Sequence, residues 1–298
     1  MNFEIHAAPM AGYTDHAFRR VLASFGARVL YTEMVSSTAL FYKSKKTLPL
    51  LQMDKMAGVT NVVQLFGNNP EHFVFAVKSG LLDGFDEINI NMGCPAKKII
   101  KNSEGAALMK NPELARAIIH ACVSATDKPV SVKMRLGFDK PNDTSGRLPT
   151  EALRLAKICE DEGVSKIIVH GRYAAQGYSG VADWATIAEV VRSTNLPVIA
   201  NGDVVDVESA RRCMEATGAR GVMVGRAMLG APWVISFSKP KNIIETILHH
   251  LNMAEELGTP FGEMKKHLLF YAGHLPDSKE LKLKIVKLID FNEARQLF

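Results

Sequence analysis

The chain alternates between two hydrophobic rhythms. Short runs rich in β-branched and other apolar residues recur at 5–10 ("IHAAPM"), 29–34 ("VLYTEM"), 60–67 ("TNVVQLFG"), 85–90 ("FDEINI"), 129–135 ("PVSVKMR"), 166–171 ("KIIVHG"), 197–203 ("PVIANGD") and 221–226 ("GVMVGR"). Each has the length and make-up of a strand. Several are apolar throughout rather than alternating, as strands covered on both faces should be. Between them lie segments with apolar positions at helical spacing, such as "TEALRLAKICEDEG" over 150–163, which predict amphipathic helices. Eight such units match a (β/α)8 TIM barrel, an α/β fold of about 250 residues. An open doubly wound sheet is the alternative, but the chain holds neither G-x-G-x-x-G nor a Walker sequence.

After Pro240 the strand rhythm stops. "NIIETILHHLNMAEELG" sets Ile243, Ile244, Ile247, Leu248, Leu251, Ala254 and Leu257 at helical spacing and closes on Gly258 in the usual C′ position. "PFGEMKKHLLFYAGH" and "DSKELKLKIVKLID" predict two more helices, the second opened by Asp277 with Glu280 three residues on, in the manner of a capping box. On that second helix Lys279, Lys282, Lys284 and Lys287 lie opposite an apolar face of Leu281, Ile285, Leu288 and Ile289. The expected organisation is a barrel over 1–238 and a small helical domain over 239–298.

Composition changes this picture little. The 298 residues are 47% hydrophobic and 22% charged, an ordinary globular balance. The N-terminus "MNFEIHAAPMAG" lacks a secretory pattern and no apolar run approaches the roughly 18 residues of a membrane span. A cytoplasmic chain with no membrane partner is expected, in which the Asn142-Asp143-Thr144 sequon carries no meaning. Cysteines 94, 122, 159 and 213 show no CxxC spacing, so no disulfide framework or cysteine zinc site is expected. His249, His250, His267 and His274 fit no H-E-x-x-H or Cys/His pattern; they read as surface or capping residues, and no metal is expected. The net charge of +5 permits a polyanionic partner without demanding one. From Lys239 onward nine Lys and Arg face eight Asp and Glu, so RNA binding there would rest on a local surface.

Barrel enzymes build their sites at the C-terminal ends of the strands. There this chain gathers Gln64, then Asn91 and Cys94, Lys133 and Arg135, His170 and Arg172, Asn201, Gly202 and Asp203, and Gly225 with Arg226. The last two clusters occupy the position where barrels often hold phosphate. Each residue has a plainer reading. Cys122, Cys159 and Cys213 fall in helical patterns and are assigned to the core. Cys94, flanked by Gly93 and Pro95 after a strand, is assigned to function. Lys133 inside a strand needs a partner, and a structural ion pair is the plainer alternative. His170 alone more often serves structure than catalysis.

Together the motifs "APMAGYTDHAFR" (8–19), "TEMVS" (32–36), "QLFG" (64–67), "INMGCPAKK" (90–98), "EGAALMKNP" (104–112), "VKMRLGF" (132–138), "VHGR" (169–172), "ADW" (182–184), "NGDV" (201–204), "MVGRAMLGAPW" (223–233) and "MKKHLLFYAGHLP" (264–276) span nearly the whole chain. In this order they resemble the tRNA-dihydrouridine synthases, FMN enzymes of the (β/α)8 class with a helical C-terminal domain. The resemblance implies FMN across the barrel mouth, with Pro9 and Met10 at its backbone contacts, Gln64 at the flavin edge and Lys133 near the N1/O2 side. His170 would contact the ring or ribityl region, and Asn201, Gly202, Asp203, Gly225 and Arg226 would hold ribityl and phosphate. It also implies hydride transfer from flavin N5 to uracil C6, a proton from Cys94 to C5, and NADPH or NADH as reductant. Asn91 would position the uracil, Arg135 and Arg172 would face the substrate, and Lys97, Lys98 and Lys101 would meet tRNA phosphates. A monomer is expected. The rival readings are an FMN reductase of a free pyrimidine, a class I aldolase using Lys133 as Schiff-base amine, and an RNA-binding flavoprotein without catalysis.

Overall fold

The computed structural model describes residues 3–140 and 150–298; the sequon at 142–144 lies outside them. Eight parallel strands close into a barrel in the order β1 to β8, with β1 paired to both β2 and β8. They are β1 Glu4–Ala7, β2 Val29–Ser36, β3 Thr60–Phe66, β4 Glu87–Met92, β5 Val130–Arg135, β6 Lys166–His170, β7 Val198–Asn201 and β8 Gly221–Val224. All eight expected strands are present. Every residue of β4, β7 and β8 is buried, which explains why those runs do not alternate: one face meets the helices and the other fills the barrel. Ala8, Tyr31, Val62, Ile168, Ile199 and Met223 pack together inside.

Register decides which side chains share the barrel's upper rim. Gln64 lies beside Asn89, Asn91 beside Lys133, Arg135 beside His170, and His170 beside Asn201. Residues at even spacing along a strand share a face, so Asn89 and Asn91 point the same way. The interior is consequently polar in one continuous line. Lys166 and Ser131 both bond the carboxylate of Glu87. Asn89 donates to Ser131 at 2.8 Å, Gln64 Nε2 to Asn89 at 2.7 Å, and Asn91 to Gln64 Oε1 at 2.9 Å. Buried amides satisfied in this way have one orientation each.

Four helices follow the barrel: Ile243–Glu256, Phe261–Tyr271, Ser278–Lys287 and Phe291–Leu297. Ile247, Leu251, Ala254, Met264, Leu268, Tyr271, Ile285 and Ala294 pack there in one cluster with Ala17, Ala231 and Trp233 of the barrel. Gly258 closes the first of these helices at φ +70 as expected. The capping role expected of Asp277 does not hold. Its backbone is left-handed at φ 52 and ψ 34, so its carboxylate makes no cap bond to the helix that begins at Ser278; an N-cap needs an extended backbone to turn its side chain inward. The fourth helix, not foreseen, is capped by Asp290, which accepts from Glu293 N at 2.9 Å.

Two further expectations are corrected in this region. Ile289 is 74% exposed because the helix ends at Lys287, which takes Ile289 off the packed face. His250 and His267, expected at the surface, are buried at 0% and 2% exposure. His250 stacks on Phe18 with ring centres 5.4 Å apart, and His267 lies 4.6 Å from the same ring. Burial drives both imidazoles below their ordinary pKa, His267 to about 4. Lys279, Lys282, Lys284 and Lys287 are exposed, with Lys284 paired to Glu280 at 2.8 Å.

Candidate active site

A cavity of about 840 Å³ opens at the C-terminal end of the strands, and every barrel site residue singled out in the sequence lines it except Lys98 and Lys101. Lys98 is exposed on the short Lys97–Lys101 helix beside the mouth. The site therefore draws on the ends of β3 to β8, together with Pro9 and Met10 after β1.

Cys94 sits half-buried on the loop after β4, a free thiol. Its pose is fixed from three sides. Asn91 Oδ1 accepts from Cys94 N at 2.9 Å and from Gly93 N at 3.2 Å, an Asx turn that curls the loop back on its own strand. Ala106 N donates to the Cys94 carbonyl at 3.1 Å. Gly105, at φ +59, lets that segment come close: a Cβ there would meet Ile99 Cγ2 at 2.8 Å and the Cys94 carbonyl at 2.9 Å. Asn91, expected at the uracil, thus spends its amide oxygen on the cysteine loop and one N–H on Gln64.

Lys133 reaches the cavity from β5. Its one hydrogen-bond partner among the described residues is Asn201 Oδ1 at 3.0 Å, and Asn201 is held by donating to Met223 O at 2.9 Å. Burial, and then the charge of Arg135, push the ammonium down to about 7. The ion pair that would have made Lys133 purely structural is not found among the described residues.

Two arginines are committed to the scaffold. Arg135, 2% exposed, donates from Nε to Gly93 O at 2.9 Å and from Nη1 to Tyr173 O at 2.9 Å and Gly177 O at 2.8 Å. It pins the cysteine loop to the loop after β6. Arg172, also 2% exposed, forks onto Asp203 at 2.7 and 2.9 Å and donates to Ser179 O and Gly180 O. A buried fork of this kind fixes geometry as well as charge. Burial raises the Asp203 carboxyl, but the Ala182 N–H and Arg172 outweigh it and hold the pKa below its usual value. His170 is driven down to about 2 by burial and by the cations Lys133, Arg135, Arg172 and Arg226. It is neutral, and with Arg172 Nη1 at 3.3 Å from Nε2 its proton is assigned to Nδ1. Gly202, at φ +121, packs so closely that a Cβ would meet Ala182 Cβ at 2.7 Å and His170 Cδ2 at 3.1 Å.

Arg226 differs from both. Its side chain is 56% exposed, its nearest carboxylate is Asp203 at 3.9 Å, and its guanidinium lies 4.9 Å over the ring of Tyr178. It is a cation at the lip of the cavity with donors to spare. Tyr178 and Phe270 complete the mouth, and neither was singled out by the sequence. Tyr178 lies between motifs, with no local signal to mark it. Phe270 stands within "MKKHLLFYAGHLP", yet only the fold brings that tail helix over the barrel, with Phe270 edge-on to Tyr13 at 5.7 Å.

The geometry has counterparts in known proteins. The family model described as dihydrouridine synthase matches residues 6–296. The chain belongs to the dihydrouridine synthase family. Membership makes it an oxidoreductase, since a dihydrouridine is a uridine carrying two added hydrogens. Among curated relatives, a probable tRNA-dihydrouridine synthase of Rickettsia conorii is 38% identical across 95% of this chain and 88% of its own length. One from Rhodobacter capsulatus is 44% identical across 76% and 68%, and tRNA-dihydrouridine synthase B of Pseudomonas putida is 34% identical across 95% and 86%. Solved structures extend the likeness of fold. Histamine dehydrogenase from Rhizobium sp. 4-9 superposes with a TM-score of 0.60 at 14% identity, over 84% of this chain and 49% of that one. Morphinone reductase gives 0.55 at 11% identity, over 78% and 84%. No helix among the described residues is long and apolar enough to cross a membrane.

Proposed function

We propose that this dihydrouridine synthase reduces the C5=C6 bond of uridines in tRNA, using bound FMN that is re-reduced by NADPH or NADH, with Cys94 as the proton donor. The observation that carries this reading is a braced, half-buried thiol lining the same cavity as two basic side chains with donors to spare, Lys133 and Arg226. Those cations fit FMN. The cavity is of ligand-binding size, Arg226 at the lip has donors for a phosphate, and Lys133 inside suits the electron-rich edge of a flavin. When bound, FMN would supply the hydride for uracil C6.

The chain's own residues do the rest. Cys94 holds a proton where C5 of the base must arrive, and Asn91 keeps the thiol there. Gln64, oriented by Asn89 and Asn91, presents its remaining amide hydrogen to the flavin edge. Asn201, Gly202 and Asp203 shape the ribityl side, Asp203 by anchoring Arg172. Arg135 keeps Nη2 free of protein acceptors among the described residues and so remains available to substrate. Reaching a base inside folded tRNA requires extruding it, and Tyr178 and Phe270 at the mouth offer rings for it or its neighbours to stack upon. Phe270 favours tRNA over a free pyrimidine, because a reductase of a free base has no evident use for a tail segment reaching its cavity. The reading makes the protein a cytoplasmic monomer.

The deciding experiment is reconstitution. The purified protein should be yellow, release FMN on denaturation, and add two hydrogens to uridine in unmodified tRNA, read by mass spectrometry of the digested nucleosides. A protein that cannot be loaded with FMN, or that reduces free uridine as well as tRNA, would refute it.

Two variants probe its parts. Arg226→Ala should weaken FMN binding by about tenfold or more, since a hydrogen bond to a charged group contributes about 1.5–3 kcal/mol; fluorescence titration of flavin-stripped protein reads it directly. Replacing Lys279, Lys282, Lys284 and Lys287 together with Gln should leave FMN content intact, weaken tRNA binding and flatten its salt dependence. An unchanged salt slope would remove this helix from the RNA surface.

A further inference from the structure

Away from the cavity, three side chains from three separate elements converge at the seam between barrel and tail. Asp15 caps the His16–Ser24 helix, His250 comes from Ile243–Glu256, and His267 from Phe261–Tyr271. One ligand atom from each lies within 4.8 Å of the other two. Both histidines are more than nine-tenths buried. His267 Nε2 donates to the carbonyl of Tyr13 at 3.1 Å, which in a neutral ring leaves Nδ1 as a bare lone pair. His250 Nδ1 meets the hydroxyl of Tyr271 at 3.2 Å. The two other ring nitrogens, His250 Nε2 and His267 Nδ1, are buried with no hydrogen-bond partner among the described residues.

Native proteins seldom leave buried polar atoms unmatched. Two side by side, next to a carboxylate, specify what should sit between them. With His250 donating to Tyr271, three acceptors converge: two imidazole lone pairs and a carboxylate. A water molecule could donate only to the two lone pairs, whereas a cation would engage these and the carboxylate together, and metal content tells the two apart. We propose that this seam binds a divalent transition-metal ion of the zinc class through Asp15, His250 Nε2 and His267 Nδ1. The donor set of two imidazoles and a carboxylate suits such an ion and leaves a fourth position for water. The far nitrogen of His267 has a backbone carbonyl as partner, one of the groups that orient metal-binding histidines, and the Tyr271 hydroxyl fixes the ring of His250. Small side-chain adjustments would draw the three atoms in to the roughly 2.0–2.2 Å of zinc–nitrogen and zinc–oxygen bonds. The Asp15 oxygens already accept from Phe18 N at 2.8 Å and Thr259 Oγ1 at 3.0 Å, which orients the carboxylate without exhausting its lone pairs.

The ion would join the start of the first barrel helix to two tail helices. His267 stands one turn before Phe270 on the same helix, so the link would hold the part of the tail that lines the cavity.

The test reads metal content and is independent of flavin and of activity. Full-length protein is stripped with chelator, loaded with Zn²⁺ or with Co²⁺ as a spectroscopic probe, desalted, and assayed by elemental mass spectrometry and thermal melting. The expected result is one ion per chain, Co²⁺ ligand-field bands to the red of flavin absorption, and a melting temperature raised by Zn²⁺ and lowered by chelator. Asp15→Asn keeps a good N-cap and so preserves the fold, yet should bind Zn²⁺ about tenfold or more weakly; His267→Gln should do the same. Background metal after loading, with a melt that neither Zn²⁺ nor chelator moves, would overturn the proposal. So would an ion retained equally by both variants, which must then sit elsewhere; if His267→Gln does not fold, Asp15→Asn alone decides.

Discussion

Cys94→Ala is expected to keep its FMN and its reduction by nicotinamide cofactor while losing uridine reduction by about a hundredfold or more, the usual contribution of a positioned general acid. The structure makes this substitution unusually clean. The bonds that set the loop run from Asn91 Oδ1 to the backbone N–H groups of Gly93 and Cys94, and from Ala106 N to the Cys94 carbonyl. None involves the sulfur, so alanine inherits the same backbone pose. The cations assigned to FMN come from β5 and the turn after β8 and do not depend on the thiol. Stopped-flow spectroscopy separates the two half-reactions, since bleaching of the flavin by NADPH needs no proton for C5 whereas reoxidation by tRNA does. Near wild-type turnover with tRNA would return Cys94 to the status of a packing residue.

The strands were legible because each is a short apolar run between polar turns, and burial on both faces makes that signal strong even for four-residue β7 and β8. Their exact ends were less so: the run at 5–10 ends as a strand at Ala7, since Pro9 cannot continue the ladder. The membership of the site was also legible, because a barrel brings the ends of its strands together whatever their separation in sequence. What each residue does there was not. Arg135 and Arg172 stand at strand ends like Arg226, yet two are buried as struts and one lies open, a difference set for Arg135 by carbonyls on the loop after the next strand and for Arg172 by the fold of its own following loop and Asp203. Nothing local to Asn91 showed that its amide would also brace the cysteine loop. The histidines were misjudged for a related reason. Their burial is set by Phe18, more than two hundred residues away in sequence, against which both rings pack.

Lys133→Met should slow FMN reduction and uridine reduction together, by about a hundredfold to a thousandfold, the range found when one preorganised electrostatic donor is removed from a dry site. The protein gives up stability to keep this residue. Burial and the neighbouring Arg135 lower the ammonium from an ordinary 10.5 to about 7, so the folded chain is destabilised by holding it charged. The sign follows from proton counting. Between about pH 7 and the ordinary lysine pKa, the unfolded chain carries a proton at this position that the folded chain does not, so stability rises with pH across that window. Below about pH 7 the penalty is fully present, of the order of a few kcal/mol. Flavin-stripped wild-type protein should therefore melt higher as pH rises above 7, and Lys133→Met, which fills the same space without charge, should lose that slope and be the more stable of the two near pH 6. Reduced FMN should reverse the order: its anionic hydroquinone edge beside Nζ would offset the cost of the charge, so FMN reduced under anaerobic conditions should raise the melting temperature of wild type more than that of the variant. A variant that matched wild type in flavin reduction while still losing the pH slope would leave Lys133 buried for packing alone.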